Sequence, residues 1–180
     1  MQGKELHREF NYDEIFQLFL ESFSASENEE EACVVRDLVH RYLSNYPRED
    51  LRGFVAMEGD TTIGCVFFSR LDYSLSDKNV FILSPMAVKT VHQGKGVGRT
   101  LIEFAHHELR KAGVQVTATY GDVRFYSKAG YKWVSEASMP APFKLTYPEG
   151  WLACAIDRTT SLTIEGPVKC IPELNDPALW

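Results

Sequence analysis

Long apolar runs are missing from this chain: none approaches the roughly 20 residues that a helix needs to cross a bilayer, so no membrane span is expected. The opening Met1-Gln-Gly-Lys-Glu-Leu-His-Arg8 has no apolar centre of the kind a secretory signal carries, and the expected location is the cytoplasm. A basic surplus is missing too. Nineteen Lys and Arg against 25 Asp and Glu give a formal charge of -6, which argues against a dedicated binder of nucleic acid or anionic membrane. The four cysteines, Cys33, Cys65, Cys154 and Cys170, make no C-x-x-C pair and no zinc-ligand spacing, so buried free thiols in a reducing compartment and no metal are the reading. Internal repeats, low-complexity tracts and linkers are also lacking, which leaves residues 1–180 as a single domain.

One further absence is local and points towards something. Between Asp77 and Glu103 no acidic residue occurs, whereas Lys78, Lys89, Lys95 and Arg99 fall inside that stretch. A basic window on an acidic protein marks a place for an anionic ligand, although an uneven solvated face explains it about equally well.

The element pattern is mixed α and β. Asn11-Tyr-Asp-Glu14 has capping-box character, followed by Tyr12, Ile15, Phe16, Phe19 and Phe23 at helical spacing. Ser26-Glu-Asn-Glu29 reads as a second capping box, opening a helix to about Leu43. Residues 53–57 and 62–68 flank Glu58-Gly-Asp60, a hairpin signal. Val80-Phe-Ile-Leu83 and Met86-Ala-Val88 form an apolar run without alternation, as a central strand covered on both faces requires. Pro85 interrupts it, so pairing should break near Ser84-Pro85. Val97, Leu101, Ala105 and Leu109 mark a helix that Gly113 closes. Strands are expected over 114–120, 131–134 and 151–156, with a short helix capped by Asp122 and ending at Gly130. The core spans about residues 5–158, and residues 159–180 read as a C-terminal extension with a strand-like piece at Ser161 to Ile164.

The most informative segment joins the central strand to the amphipathic helix through His92-Gln-Gly-Lys-Gly-Val-Gly-Arg99. Gly94, Gly96 and Gly98 lack Cβ atoms, so backbone N–H groups are free to converge on an anion, and the helix N-terminus adds donors and partial positive charge. No G-K-[ST] follows, which excludes a Walker loop, and Arg99 stands where a dinucleotide fingerprint needs its last glycine.

Gln93-Gly-Lys-Gly96-Val-Gly98 instead resembles the Q/R-x-x-G-x-G/A pyrophosphate loop of the GNAT superfamily of acyl-CoA N-acyltransferases. Gly121-Asp-Val-Arg-Phe-Tyr126, followed by Gly130-Tyr131, resembles the tyrosine-bearing fourth helix of that superfamily in a bacterial subgroup that opens with G-D. The resemblance is strongest over Val80 to Val134 and weakest beyond Met139. It implies an α/β (α+β) fold with a mixed, mostly antiparallel central sheet of about seven strands and about four helices, splayed between the fourth and fifth strands. It also implies direct acetyl transfer from acetyl-CoA to a primary amine in a ternary complex, without metal.

By that resemblance Met86, Ala87 and Val88 lie along the thioester arm, and Gln93, Gly94, Lys95, Gly96, Val97, Gly98 and Arg99 hold the pyrophosphate. Tyr126 touches the cofactor and protonates the departing thiolate, while Phe125 packs. No general base is assigned. Ser84 stands where many members carry glutamate and would hold a water; Asp122 is a further candidate but suits an N-cap better. The other histidines, His92, His106 and His107, read as exposed helix and loop residues. Residues 27–31 are acid-rich, which the helix dipole explains as well as a cationic substrate does. The acceptor, a small-molecule or protein amine, stays open, and a homodimer is compatible. An acyl-CoA sensor without turnover and a binder of another phosphorylated ligand are the alternatives.

Overall fold

The computed structural model describes residues 1–26 and 29–180, and the side chains of all of these except residues 25, 26 and 29–31. The side chains of the second capping box, Ser26 to Glu29, and of the acid-rich residues 27–31 therefore lie outside what is described. In chain order the elements are β1 (Gln2–Glu5), α1 (Tyr12–Ser26), α2 (Glu29–Ser44), β2 (Leu51–Glu58), β3 (Thr61–Tyr73), β4 (Val80–Val88), α3 (Val97–Lys111), β5 (Val116–Tyr120), α4 (Val123–Tyr126), β6 (Lys132–Trp133), β7 (Trp151–Ala155) and β8 (Val168–Cys170). The strand order is β1-β2-β3-β4-β5-β7-β6, with β8 paired to β3. That makes eight strands among the described residues, where about seven were expected. The chain divides into two compact units, residues 1–68 with 85–105 and residues 69–84 with 106–180.

In the first unit, Asn11 caps α1: its Oδ1 accepts from the backbone N–H of Asp13 (3.1 Å) and Glu14 (3.4 Å). The reciprocal half of the capping box is not made. The Glu14 carboxylate accepts from Thr62 N–H (3.2 Å) and so ties the helix to β3. Ile15, Leu18 and Phe19 of α1 and Leu38, Val39 and Tyr42 of α2 are buried, as the helical spacing requires. A two-residue turn joins β2 to β3, with Gly59 at φ 59°. The additional strand β1 pairs antiparallel with β2, from Gln2↔Met57 to Glu5↔Phe54. A Cβ at Gly3 would lie 2.5 Å from the Phe104 ring, so only glycine lets this edge strand lie over that side chain.

In the second unit, β4 and β5 run parallel in register from Val80↔Val116 to Leu83↔Thr119. The ladder ends there, one residue before Ser84-Pro85, while Tyr120 continues to pair with Trp151 of β7. A proline has no N–H to give to a ladder, and the break falls where the sequence puts one. β7 also pairs antiparallel with β6.

The strand-like piece at Ser161 to Ile164 is not a strand. Ile164 is buried and its N–H donates to Ser138 O (2.8 Å), so the segment docks as a loop. The strand of this region is β8, which pairs Leu71↔Cys170 through Tyr73↔Val168. Ile171, Leu174 and Trp180 are buried, and the Trp180 ring meets that of Trp151 edge-on at 6.0 Å.

Candidate active site

The turn after β4 is fixed from beneath. The Val88 carbonyl accepts from Ser22 Oγ (3.2 Å) and from the Gln93 side-chain amide (3.0 Å), and Lys89 N–H donates to Ile63 O (2.9 Å). The Gln93 side chain is thus turned back onto the strand end, where it holds the turn in place. A short 3₁₀ turn over Thr90–His92 leads into residues 93–96 and then α3. Gly94 and Gly96 take φ 70° and 83°, values that cost any residue with a Cβ about 1–2 kcal/mol. No protein atom lies within 4 Å of a Cβ built on either glycine. The space above the turn is open at both positions.

The first helical bond of α3 is Thr100 N–H to Gly96 O (3.0 Å), which leaves the N–H groups of Val97, Gly98 and Arg99 ahead of it as unspent donors. Lys95 and Arg99 are exposed beside them, Arg99 at 3.5 Å from Glu103 across one helical turn. Positive-φ glycines, free helix-end donors and two cations are a donor set that fits a pyrophosphate. On β4, Ala87 and Val88 are buried and Met86 is half-buried.

The second constellation is built on β5 and α4. Asp122 caps α4: its carboxylate accepts from Arg124 N–H (2.9 Å) and meets the Arg124 guanidinium at 3.3 Å. Both contacts hold its carboxyl below the usual range, the Arg124 side-chain bond foremost, so Asp122 is spent as a cap and makes a weak base. Gly130, at φ 90°, ends the segment, and Tyr131 N–H donates to Tyr126 O (3.2 Å).

Tyr126 is half-buried, with its ring edge-on to Phe125 (5.0 Å) and Tyr131 (5.7 Å). The Thr119 hydroxyl donates to Leu83 O (3.3 Å). Burial pushes the Tyr126 phenol above its ordinary value of 10.0, against the lowering influence of the nearby Thr119 side chain, and keeps it protonated at neutral pH. The Tyr126 ring also rests on Gly121, where a Cβ would lie 2.8 Å from its Cε2. That contact is a local reason for glycine in the Gly121-Asp122 pair.

One histidine departs from the expected surface position. His106 Nε2 lies 3.0 Å from both the Tyr131 hydroxyl and Thr117 Oγ1. Burial, with help from Arg110, pushes its pKa down to about 4, so it is a neutral member of an interior network. Nothing in the sequence marks it, because a histidine on the flank of an apolar stripe reads equally well as surface. His107 is exposed, and His92 is half-buried at 4.0 Å from Glu58. Ser84 is half-buried, and its hydroxyl has no partner among the described residues. Thr119 was also missed by the sequence reading. Among the described residues no group of three or more His, Cys, Asp or Glu is placed to hold a metal, and no helix is long and apolar enough to cross a membrane.

A mixed sheet with a parallel β4–β5 pair that parts at a proline is thus followed by a glycine turn that leads into a helix N-terminus. Residues 49–133 match the model of the acetyltransferase (GNAT) domain. Over 140 residues it is 26% identical to the uncharacterized N-acetyltransferase YjhQ of Escherichia coli, covering 74% of this chain and 76% of that protein. The crystal structure of the GNAT family N-acetyltransferase YhbS from Escherichia coli in complex with CoA superposes with a TM-score of 0.79 at 21% identity, covering 97% of this chain and 92% of YhbS. A GNAT family acetyltransferase from Brucella melitensis in complex with acetyl-CoA gives 0.67 at 23% identity, over 96% and 98% of the two chains.

Proposed function

We propose that this protein moves an acetyl group from acetyl-CoA to a primary amine by direct attack in a ternary complex. The observation that carries the reading is the turn at residues 93–99, with two open positive-φ glycines ahead of a helix N-terminus. In this reading the N–H groups of the turn and of Val97, Gly98 and Arg99 hold the pyrophosphate, with Lys95 and Arg99 adding charge. Met86, Ala87 and Val88 line the pantetheine arm, and Gln93 serves by holding the turn to the strand end. The amine nitrogen bonds to the thioester carbon, the C–S bond breaks, and Tyr126 gives its hydroxyl proton to the sulfur. Ser84 is read as holding the water that accepts the proton the nitrogen loses. The protein acts as one domain in the cytoplasm, without metal or nucleic acid, alone or as a homodimer.

Gly96→Val tests the turn. At φ 83° with open space around it, the new side chain strains the backbone without striking protein, so melting should change little while acetyl-CoA affinity is lost. A folded variant that binds acetyl-CoA as tightly as wild type would remove the pyrophosphate assignment. Thiol release with a responsive amine separates a transferase from a sensor without turnover, and binding of a CoA-free nucleotide would point to the third reading.

A further inference from the structure

The side chains of β5 alternate between the two faces of the strand. Thr117, whose hydroxyl meets His106, and Thr119 share one face, so Tyr120 stands on the other. Tyr120 lines a cavity of about 520 Å³ together with Gly121, Val123, Tyr147, Glu149 and Gly150. Its walls are fixed. Tyr147 N–H donates to the Tyr120 hydroxyl (2.6 Å), Gly121 N–H donates to Gly150 O (3.0 Å), and the Trp133 indole donates to Pro148 O (3.1 Å). A Cβ at Gly150 would lie 3.2 Å from Gly121 O, so a larger residue there would press the loop off the strand. Arg124 and Asp122, also at the cavity, neutralise each other. Glu149 has no ion-pair partner among the described residues, which leaves its carboxylate as the uncompensated charge of the cavity.

We infer that this cavity receives the acceptor, and that the acceptor is a small monoamine with a flat apolar body, its ammonium drawn by Glu149 and its body held between Tyr120, Tyr147 and Val123. The inference rests on the acetyl-transfer reading above. The volume is that of a small-molecule site. A cation beside a tyrosine ring gains from the ring's face as well as from a carboxylate. A polyamine or an aminoglycoside would bring several ammonium groups to a cavity with one uncompensated carboxylate.

The test uses phenethylamine as probe. Calorimetry on the CoA-loaded protein should show it binding, and Glu149→Gln should weaken that binding and raise its KM about tenfold, the loss expected when a charge-assisted contact becomes neutral. Tyr147→Ala, at an exposed position, should weaken it too, and acetyl-CoA affinity should be unchanged in both variants. In transfer assays kcat/KM should be higher for phenethylamine than for spermidine, kanamycin or a lysine peptide. An unchanged Kd in Glu149→Gln, a better turnover of any of those three, or no binding at all overturns the cavity assignment. Phenethylamine that binds, is released by Glu149→Gln and is never acetylated keeps the cavity and sinks the transferase reading.

Discussion

Replacing Gly121 with alanine would add a methyl carbon 2.8 Å from Cε2 of Tyr126, 3.5 Å from Cδ2 and 3.8 Å from Cζ. Ordinary contact begins near 3.4 Å, so the ring must retreat by about 0.6 Å, carrying its hydroxyl with it. Misplacing a catalytic group by about 1 Å costs on the order of 10²-fold, and this smaller shift should lower kcat roughly ten- to thirty-fold. Stability should suffer less. Overpacking of this kind costs about 1–3 kcal/mol, while stiffening the unfolded chain at a glycine without positive φ returns about 0.4–1 kcal/mol. The net loss of about 1 kcal/mol corresponds to a Tm lower by about 2–4 °C in a chain of this size. Thiol release, acetyl-CoA titration and melting should be run on Gly121→Ala alone and in a Tyr126→Phe background. If the methyl acts through the tyrosine hydroxyl, it slows the wild-type enzyme and adds almost nothing to the phenylalanine variant. A full kcat in Gly121→Ala, or an equal loss in both backgrounds, would refute the reasoning.

Tyr126→Phe itself should lower kcat by about 10²- to 10⁴-fold with acetyl-CoA affinity little changed. The phenylalanine ring keeps its contacts with Phe125 and Tyr131, so melting should move little, and an unchanged kcat would remove Tyr126 from the chemistry. His106 gives a pH prediction whose sign follows from its depressed pKa. Between its ordinary 6.5 and about 4 in the fold, the unfolded chain binds the extra proton. Stability should therefore be intact above about pH 6.5 and fall by on the order of 3 kcal/mol as pH drops towards 4. His106→Gln should flatten that part of the curve in urea titrations, and a variant that weakens as steeply as wild type would show that His106 is not the titrating group.

Features set by neighbours along the chain were legible in the sequence. The turn at residues 93–98, the apolar stripe of α3, the Asp122 cap and the break at Pro85 each depend on local spacing or on one residue's covalent geometry. Features set by distant partners were not. β1 is four residues without apolar alternation, and its pairing follows from the free edge of β2. β8 displaced the Ser161 to Ile164 piece because pairing with β3 decides that region, whatever its β-propensity. Glu14 was read as a capping arm, yet a strand 48 residues away captured its carboxylate. The cavity needed Tyr120 and Tyr147 to meet across 27 residues, a closure that composition does not announce.

The two threonines of β5 have a consequence for how the chain pairs as it folds. Val-Thr-Ala-Thr-Tyr is apolar enough on either face to tolerate a slip by one residue, and a parallel strand without a hairpin has no turn to set its register. Such a slip would bring Ala118 and Tyr120 to the face that Thr117 and Thr119 hold, and strip His106 of its Thr117 contact and Leu83 O of its Thr119 donor. Each such loss costs about 1–3 kcal/mol, a sizeable share of the stability of an ordinary domain. The two threonine hydroxyls thereby serve as an index mark, against which β5 finds its place between β4 and β7.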